Sequence, residues 1–115
     1  MKKIILLLAM VLFSVNVFAD TRSCTVYNAD GLIASVKYST NDVDINGYVT
    51  AYIELNAPAP RTIEVVVNVY DLATNRRIDY GTVYIAKGDK QDSRSFYVGK
   101  DYKICTFKIN SASCQ

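Results

Sequence analysis

Residues 62–86, TIEVVVNVYDLATNRRIDYGTVYIA, decide the fold. Ile63, Val65, Val67 and Val69 alternate with Glu64, Val66, Asn68 and Tyr70, the period of two expected of a strand with one buried face. Leu72-Ala73-Thr74-Asn75 then supplies a turn, and the chain returns as the second arm of a hairpin. Placing Val69 opposite Ile78 and Val67 opposite Tyr80 gives the return strand an even inward parity, whereas Val83 and Ile85 demand an odd one. One extra residue removes the conflict. Glycine inside a strand commonly marks an irregularity, so the spacing predicts a β-bulge at Gly81-Thr82, with Val65 opposite Val83 and Ile63 opposite Ile85.

The same alternation recurs on either side of this hairpin. Residues 23–28 place Cys24 and Val26 on one side of a short strand, and Asp30-Gly31 turns the chain because glycine accepts positive φ. Leu32, Ala34, Val36 and Tyr38 mark a second strand over 32–39. Val49, Ala51, Ile53 and Leu55 mark a third over 48–56, stopped by Ala57-Pro58-Ala59-Pro60, whose prolines cannot donate to a ladder. Beyond the hairpin, a polar turn at 87–90 leads to a sixth strand over 93–98 with Phe96 and Val98 inward. A turn at 99–101 then opens a seventh over 102–110, with Cys105, Phe107 and Ile109 inward, and 111–115 reads as a small polar tail. No apolar 3.6-residue period occurs after residue 19. Seven short strands separated by Gly, Asn, Asp and Pro turns predict an all-β fold, a single antiparallel immunoglobulin-like β-sandwich.

Two stretches, YVTAYIELNAPAPRTIEVVV at 48–67 and GTVYIAKGDKQDSRSFYVG at 81–99, resemble the middle of bacterial immunoglobulin-like and Calx-β-like repeats. In those repeats an apolar strand ends at a small-residue and proline loop. A valine-rich strand follows, then a G-x-V-x-I-x-x-G strand and turn. The resemblance spans roughly Gly47–Gly99, about half of the chain once its leader is set aside. It implies a fold used for adhesion, spacing and protein contact. Calx-β domains bind calcium through clustered acidic residues, but Asp79, Asp89 and Asp101 are scattered here, so that activity does not carry over.

The leader is residues 1–19. Lys2 and Lys3 precede an apolar run, Ile4–Phe13, too short to span a bilayer, and Val17-Phe18-Ala19 supplies a cleavage site, the three parts of a secretory signal peptide. Asp20 follows the cut where a lipid-anchored protein would carry cysteine. Removing 19 of 115 residues leaves 96, Asp20–Gln115, one small domain. The whole chain has 13 basic and 11 acidic residues. Without Lys2 and Lys3 the signs balance, so no global field draws nucleic acid or anionic lipid. The expected location is the periplasm or the exterior, with no membrane insertion after cleavage.

Export makes a disulfide chemically reasonable for three cysteines, Cys24, Cys105 and Cys114, and leaves one over. Cys24 and Cys105 both carry inward parity, and their pairing would tie the first strand to the last. Cys24 with Cys114 is the alternative. Cys114, beside the C-terminus, is the candidate free thiol in the first arrangement.

Histidine is absent, which removes Ser-His-Asp and Cys-His nucleophiles and His-ligated metal sites. No phosphate-cradling or dinucleotide glycine motif occurs. Carboxylate pairs such as Glu54 with Glu64 or Asp89 with Asp92 read as solvated strand and turn charges. No catalytic residue and no cofactor is therefore expected. One cation motif remains: Asp42-Val43-Asp44-Ile45-Asn46-Gly47 matches the first half of a calcium loop, with Asp42, Asp44 and Asn46 as ligands. Its second half fails, because position 12 is Ile53, and the same residues are ordinary turn formers.

Tyrosine is the other unusual feature. All nine tyrosines follow the leader, and tryptophan is absent. Tyr48, Tyr52, Tyr70, Tyr84 and Tyr97 fall on outward parity. Tyrosine suits both a recognition surface and the solvent face of any sheet. The sequence thus predicts an exported, non-catalytic binding or adhesion module for a protein or glycan partner. Its alternative is an exported inhibitor or immunity-type protein that blocks an enzyme with a loop, at 56–61 or 40–47.

Overall fold

The computed structural model describes residues 22–39, 43–99 and 105–115. The signal peptide expected at 1–19, Asp42, Lys100, Asp101 and residues 102–104 of the seventh predicted strand lie outside them. The described residues form seven antiparallel strands: β1 Ser23–Thr25, β2 Ile33–Lys37, β3 Tyr48–Leu55, β4 Ile63–Asp71, β5 Arg76–Ile85, β6 Gln91–Tyr97 and β7 Cys105–Cys114. They make two sheets, ordered β1-β2-β3-β6 and β5-β4-β7. The β4–β5 hairpin is therefore the centre and one edge of the smaller sheet. Inward residues of both sheets form one core, in which Val49, Ile53, Ile63, Val65, Val67, Val69, Ile85, Phe96 and Phe107 are fully buried. Phe107 links the layers: its ring stacks on Tyr38 at 4.3 Å and meets Phe96 edge-on at 5.5 Å. The alternation predicted a β-sandwich, and a β-sandwich forms.

Two irregularities lie elsewhere than the sequence predicts. Ile63 faces Ile85 and Val65 faces Val83 as expected, but Val67 faces Gly81 and Val69 faces Asp79. The register shifts between Val69 and Tyr70, so Ile78, not Gly81-Thr82, is the extra residue. Its physical basis is the turn. Asp71 Oδ1 accepts the Ala73 N–H at 2.9 Å, the Asn75 N–H bonds the Asp71 carbonyl at 2.7 Å, and Asn75 takes φ of 56°. The shift turns Ile78 and Tyr80 outward and brings Asp79 and Gly81 to the inner register. Gly81 is special for a different reason: an added Cβ would lie 2.5 Å from the Arg94 guanidinium carbon.

The second irregularity is in β7. Residues 111–115 are predicted as a polar tail, yet Ser111–Cys114 pair with Ile63–Val66. Val66 faces Ser111 and Val67 faces Ile109, so Asn110 is a bulge that changes the inward parity from Cys105, Phe107 and Ile109 to Ala112 and Cys114.

The expected Cys24–Cys105 bridge is not formed; all three thiols are free. Register explains this. Tyr27 bridges Ser113 in parallel, which sets Cys24 level with the middle of β7, five residues from Cys105 and four from Cys114. At about 3.3 Å per residue these separations are roughly 17 and 13 Å, beyond disulfide reach. Burial raises the Cys24 thiol above its ordinary pKa, and burial with the neighbouring Asp71 carboxylate does the same for Cys105.

The two flanks of the sandwich close differently. On one, the Tyr27 N–H bonds the Ala112 carbonyl at 2.9 Å and the Cys114 N–H bonds the Tyr27 carbonyl at 2.8 Å. On the other, side chains join β5 to β6. Asp79 Oδ2 accepts the Tyr97 N–H at 2.8 Å, and Arg94 Nη1 donates to the Thr82 carbonyl at 3.0 Å.

Candidate binding face

The five outward tyrosines divide between the two sheets. Tyr48, Tyr52 and Tyr97 stand on the outer face of the four-stranded sheet, each 41–46% exposed. Tyr70 and Tyr84 stand on the outer face of the three-stranded sheet, joined there by Tyr80. A bulge at Gly81-Thr82 would turn Tyr80 inward; with the extra residue at Ile78 it stands outward, 61% exposed. No single patch holds all five.

The face of the larger sheet is built from cross-strand rows. Tyr48 pairs with Tyr97, ring centroids 5.4 Å apart and edge-on. In the next outward row Thr50 pairs with Ser95, their hydroxyls 3.2 Å apart. Tyr52 then lies between Lys37 on β2 and Ser93 on β6. In the last row Glu54 lies between Ser35 and Gln91. Lys37 Nζ reaches Glu54 Oε2 at 2.6 Å, so the two charges of these rows neutralise each other. Beside Tyr52 an open groove of about 360 Å³ is lined by Lys37, Tyr38, Ser39, Thr50 and Tyr52. Aromatic faces, hydroxyls that both donate and accept, and zero net charge characterise this surface.

No protein-family model, no curated protein and no solved structure matches the chain. The chemistry of the face is therefore read from its own residues.

On the smaller sheet two of the three outward rings, Tyr70 and Tyr80, are already engaged, and Tyr84 stands exposed. Lys108 Nζ lies 5.1 Å from the Tyr70 centroid and the Arg77 guanidinium 4.6 Å from that of Tyr80, both within cation–π range. Asn68, at 8% exposure, donates to the Tyr70 hydroxyl at 3.4 Å.

Of the cation-loop residues, Asp44 and Asn46 are described and Asp42 is not. Asp44 Oδ1 accepts the N–H groups of Asn46 at 2.8 Å and Tyr48 at 2.9 Å, the geometry of a side chain organising its own turn. Among the described residues no group of three or more His, Cys, Asp or Glu side chains could hold a metal ion. Among them too, no helix is long and apolar enough to cross a membrane.

The loop at 56–61 is anchored at Asn56 and Ala59. Asn56 Oδ1 accepts the Ile33 N–H at 2.7 Å and its Nδ2 donates to the Gly31 carbonyl at 2.9 Å. Ala59 is buried, with backbone bonds to Asp89 and Gly88 of 2.8 Å each. Pro58, Pro60 and Arg61 remain exposed.

Sequence reasoning missed the rows themselves. Each residue's outward parity is legible, but which outward residues adjoin depends on β3 pairing with β6, where Glu54 meets Gln91 and Tyr48 meets Tyr97 across separations beyond any local signal.

Proposed function

We propose that this chain is an exported, non-catalytic module that binds or adheres through the outer face of its four-stranded sheet. The supporting observation is the continuous arrangement of Tyr48, Tyr97, Thr50, Ser95 and Tyr52 on the solvent side of the sheet. Such a surface offers large contact area at low conformational cost, because tyrosine has few rotatable bonds. The test is affinity capture from an exported-fraction extract with the mature protein, the Tyr48→Ala/Tyr97→Ala variant and a Tyr84→Ala control. Capture lost only in the double variant supports the reading, and capture indifferent to all three overturns it.

A second reading, an exported inhibitor or immunity-type protein, draws support from the loop at 56–61. Anchors at Asn56 and Ala59 present Pro58, Pro60 and Arg61 with little left to order on binding, the preorganisation that inhibitory loops require. An enzyme as the dominant captured partner, released by Arg61→Ala and not by the face variant, would favour it.

A further inference from the structure

We propose that the outer face of the four-stranded sheet binds a neutral polysaccharide chain. This deepens the reading that the face is the binding surface and rests on it. Charge comes first. Lys37 and Glu54 are paired at 2.6 Å, so the rows present no net charge and a charged polymer would gain no field there. Ring availability comes next. Among the described residues, cations lie over Tyr38, Tyr70 and Tyr80, and none lies over Tyr48, Tyr52 or Tyr97. Tyr48 and Tyr97 pack edge-on against each other, yet they and Tyr52 each keep 41–46% exposure, ring area open to the C–H faces of sugar rings.

The polar groups fit the same ligand. Between the aromatic rows stand the Thr50 and Ser95 hydroxyls, 3.2 Å apart, each able to donate or accept. Sugar hydroxyls have the same dual character. A protein partner would instead need a desolvated apolar centre between its aromatic anchors, and here that centre is hydroxyl. Length favours a polymer over a monosaccharide. Tyr48 and Tyr52 are four residues apart on one strand, about 13 Å, longer than one sugar ring. The groove flanks this track on the β2 side, between Thr50 and Tyr52.

Affinity electrophoresis of the mature protein through gels containing hydroxyethylcellulose, mannan or glycogen tests this at low and high salt. The expected result is retardation by at least one polymer, insensitive to salt. Tyr48→Ala, Tyr52→Ala and Tyr97→Ala should each weaken it about tenfold, and Tyr84→Ala should leave it unchanged. Tyr48→Phe, which keeps the ring, should retain most of the binding and separates lost stacking from lost folding. Retardation by none of the polymers, its disappearance in salt, or an equal loss in Tyr84→Ala overturns the proposal. If polysaccharides fail while a protein is captured through Tyr48 and Tyr97, the glycan inference falls and the face remains the binding surface. If neither depends on the face, both fall.

Discussion

Replacing Asp79 by alanine should loosen one flank of the sandwich without touching its core. The carboxylate accepts two backbone N–H groups, Tyr80 through Oδ1 and Tyr97 through Oδ2, each at 2.8 Å. The second bond crosses from one sheet to the other. A hydrogen bond to a charged group contributes about 1.5–3 kcal/mol when well shielded. Asp79 is only partly buried, so about 1 kcal/mol per bond, or about 2 kcal/mol in total, is the appropriate scale. For a domain of this size that corresponds to a fall in Tm of roughly 8–16 °C. Asp79→Asn is the sharper variant. Its amide keeps one oxygen and turns an NH2 group toward the remaining N–H, so about half the loss should persist at nearly unchanged volume.

Thermal unfolding followed by circular dichroism measures the total, and amide hydrogen exchange locates it. Val98 donates to the Gly47 carbonyl on the β3 side, so by alternation the Tyr97 N–H points away from β3, toward Asp79. Protection of the Tyr97 amide should therefore vanish in Asp79→Ala and fall in Asp79→Asn, whose single oxygen is shared between two N–H groups, while the Val98 amide stays slow in both. An Asp79→Asn protein with wild-type Tm and a protected Tyr97 amide would refute the latch.

Three further outcomes follow from the geometry. Phe107→Ala should cost about 3–5 kcal/mol, a large share of the stability of a small domain and toward the upper end because two ring contacts go with it, whereas Phe107→Leu should cost about 2 kcal/mol; denaturant midpoints measure both. Because the Cys24 and Cys105 thiols titrate above their ordinary value of 9.0 when folded, unfolded thiolate forms first as pH rises. Stability should hold below pH 9 and fall above it, with Cys24→Ser and Cys105→Ser each flattening the Tm–pH slope. Millimolar calcium should leave Tm unchanged, since Asp44 Oδ1 already serves two N–H groups; a rise in Tm would return Asp42, Asp44 and Asn46 to the role of ligands.

Much of the fold was legible because burial imposes a period of two wherever one face is covered, as in Ile63–Val69 and Val49–Leu55. The bulges were harder. A parity conflict between Val69 and Val83 revealed that an extra residue must exist, but its position depended on how Asp71 and Asn75 close the turn. Glycine at 81 drew the prediction there, yet its role is to admit the guanidinium of a residue from the other sheet. The Asn110 bulge left no sign, because Ala112 and Cys114 are too small to announce an inward face. Cysteine parity was read correctly for Cys105, which is buried, but parity fixes a face and not a height along the strand. The supposed bridge failed on height.

The same distinction bears on the candidate site. A sandwich can recruit a partner by adding a strand to an open edge or by presenting a sheet face. On β6 the Ser93 N–H is taken by Asp92 Oδ1 at 2.7 Å and the Tyr97 N–H by Asp79, while Arg94 occupies the Thr82 carbonyl on the facing β5 edge. Tyr27 covers the C-terminal part of the β7 edge in the same way. Inward-register charges at Asp79 and Arg94 look anomalous in a buried pattern until they are seen to satisfy backbone groups that another chain would otherwise pair with. With these main-chain groups committed, part of each flank is closed to strand addition, and the side chains of the sheet faces are the broader surface for recognition. Of the two faces, only the larger sheet's has its outward strand tyrosines, Tyr48, Tyr52 and Tyr97, all clear of the protein's own cations.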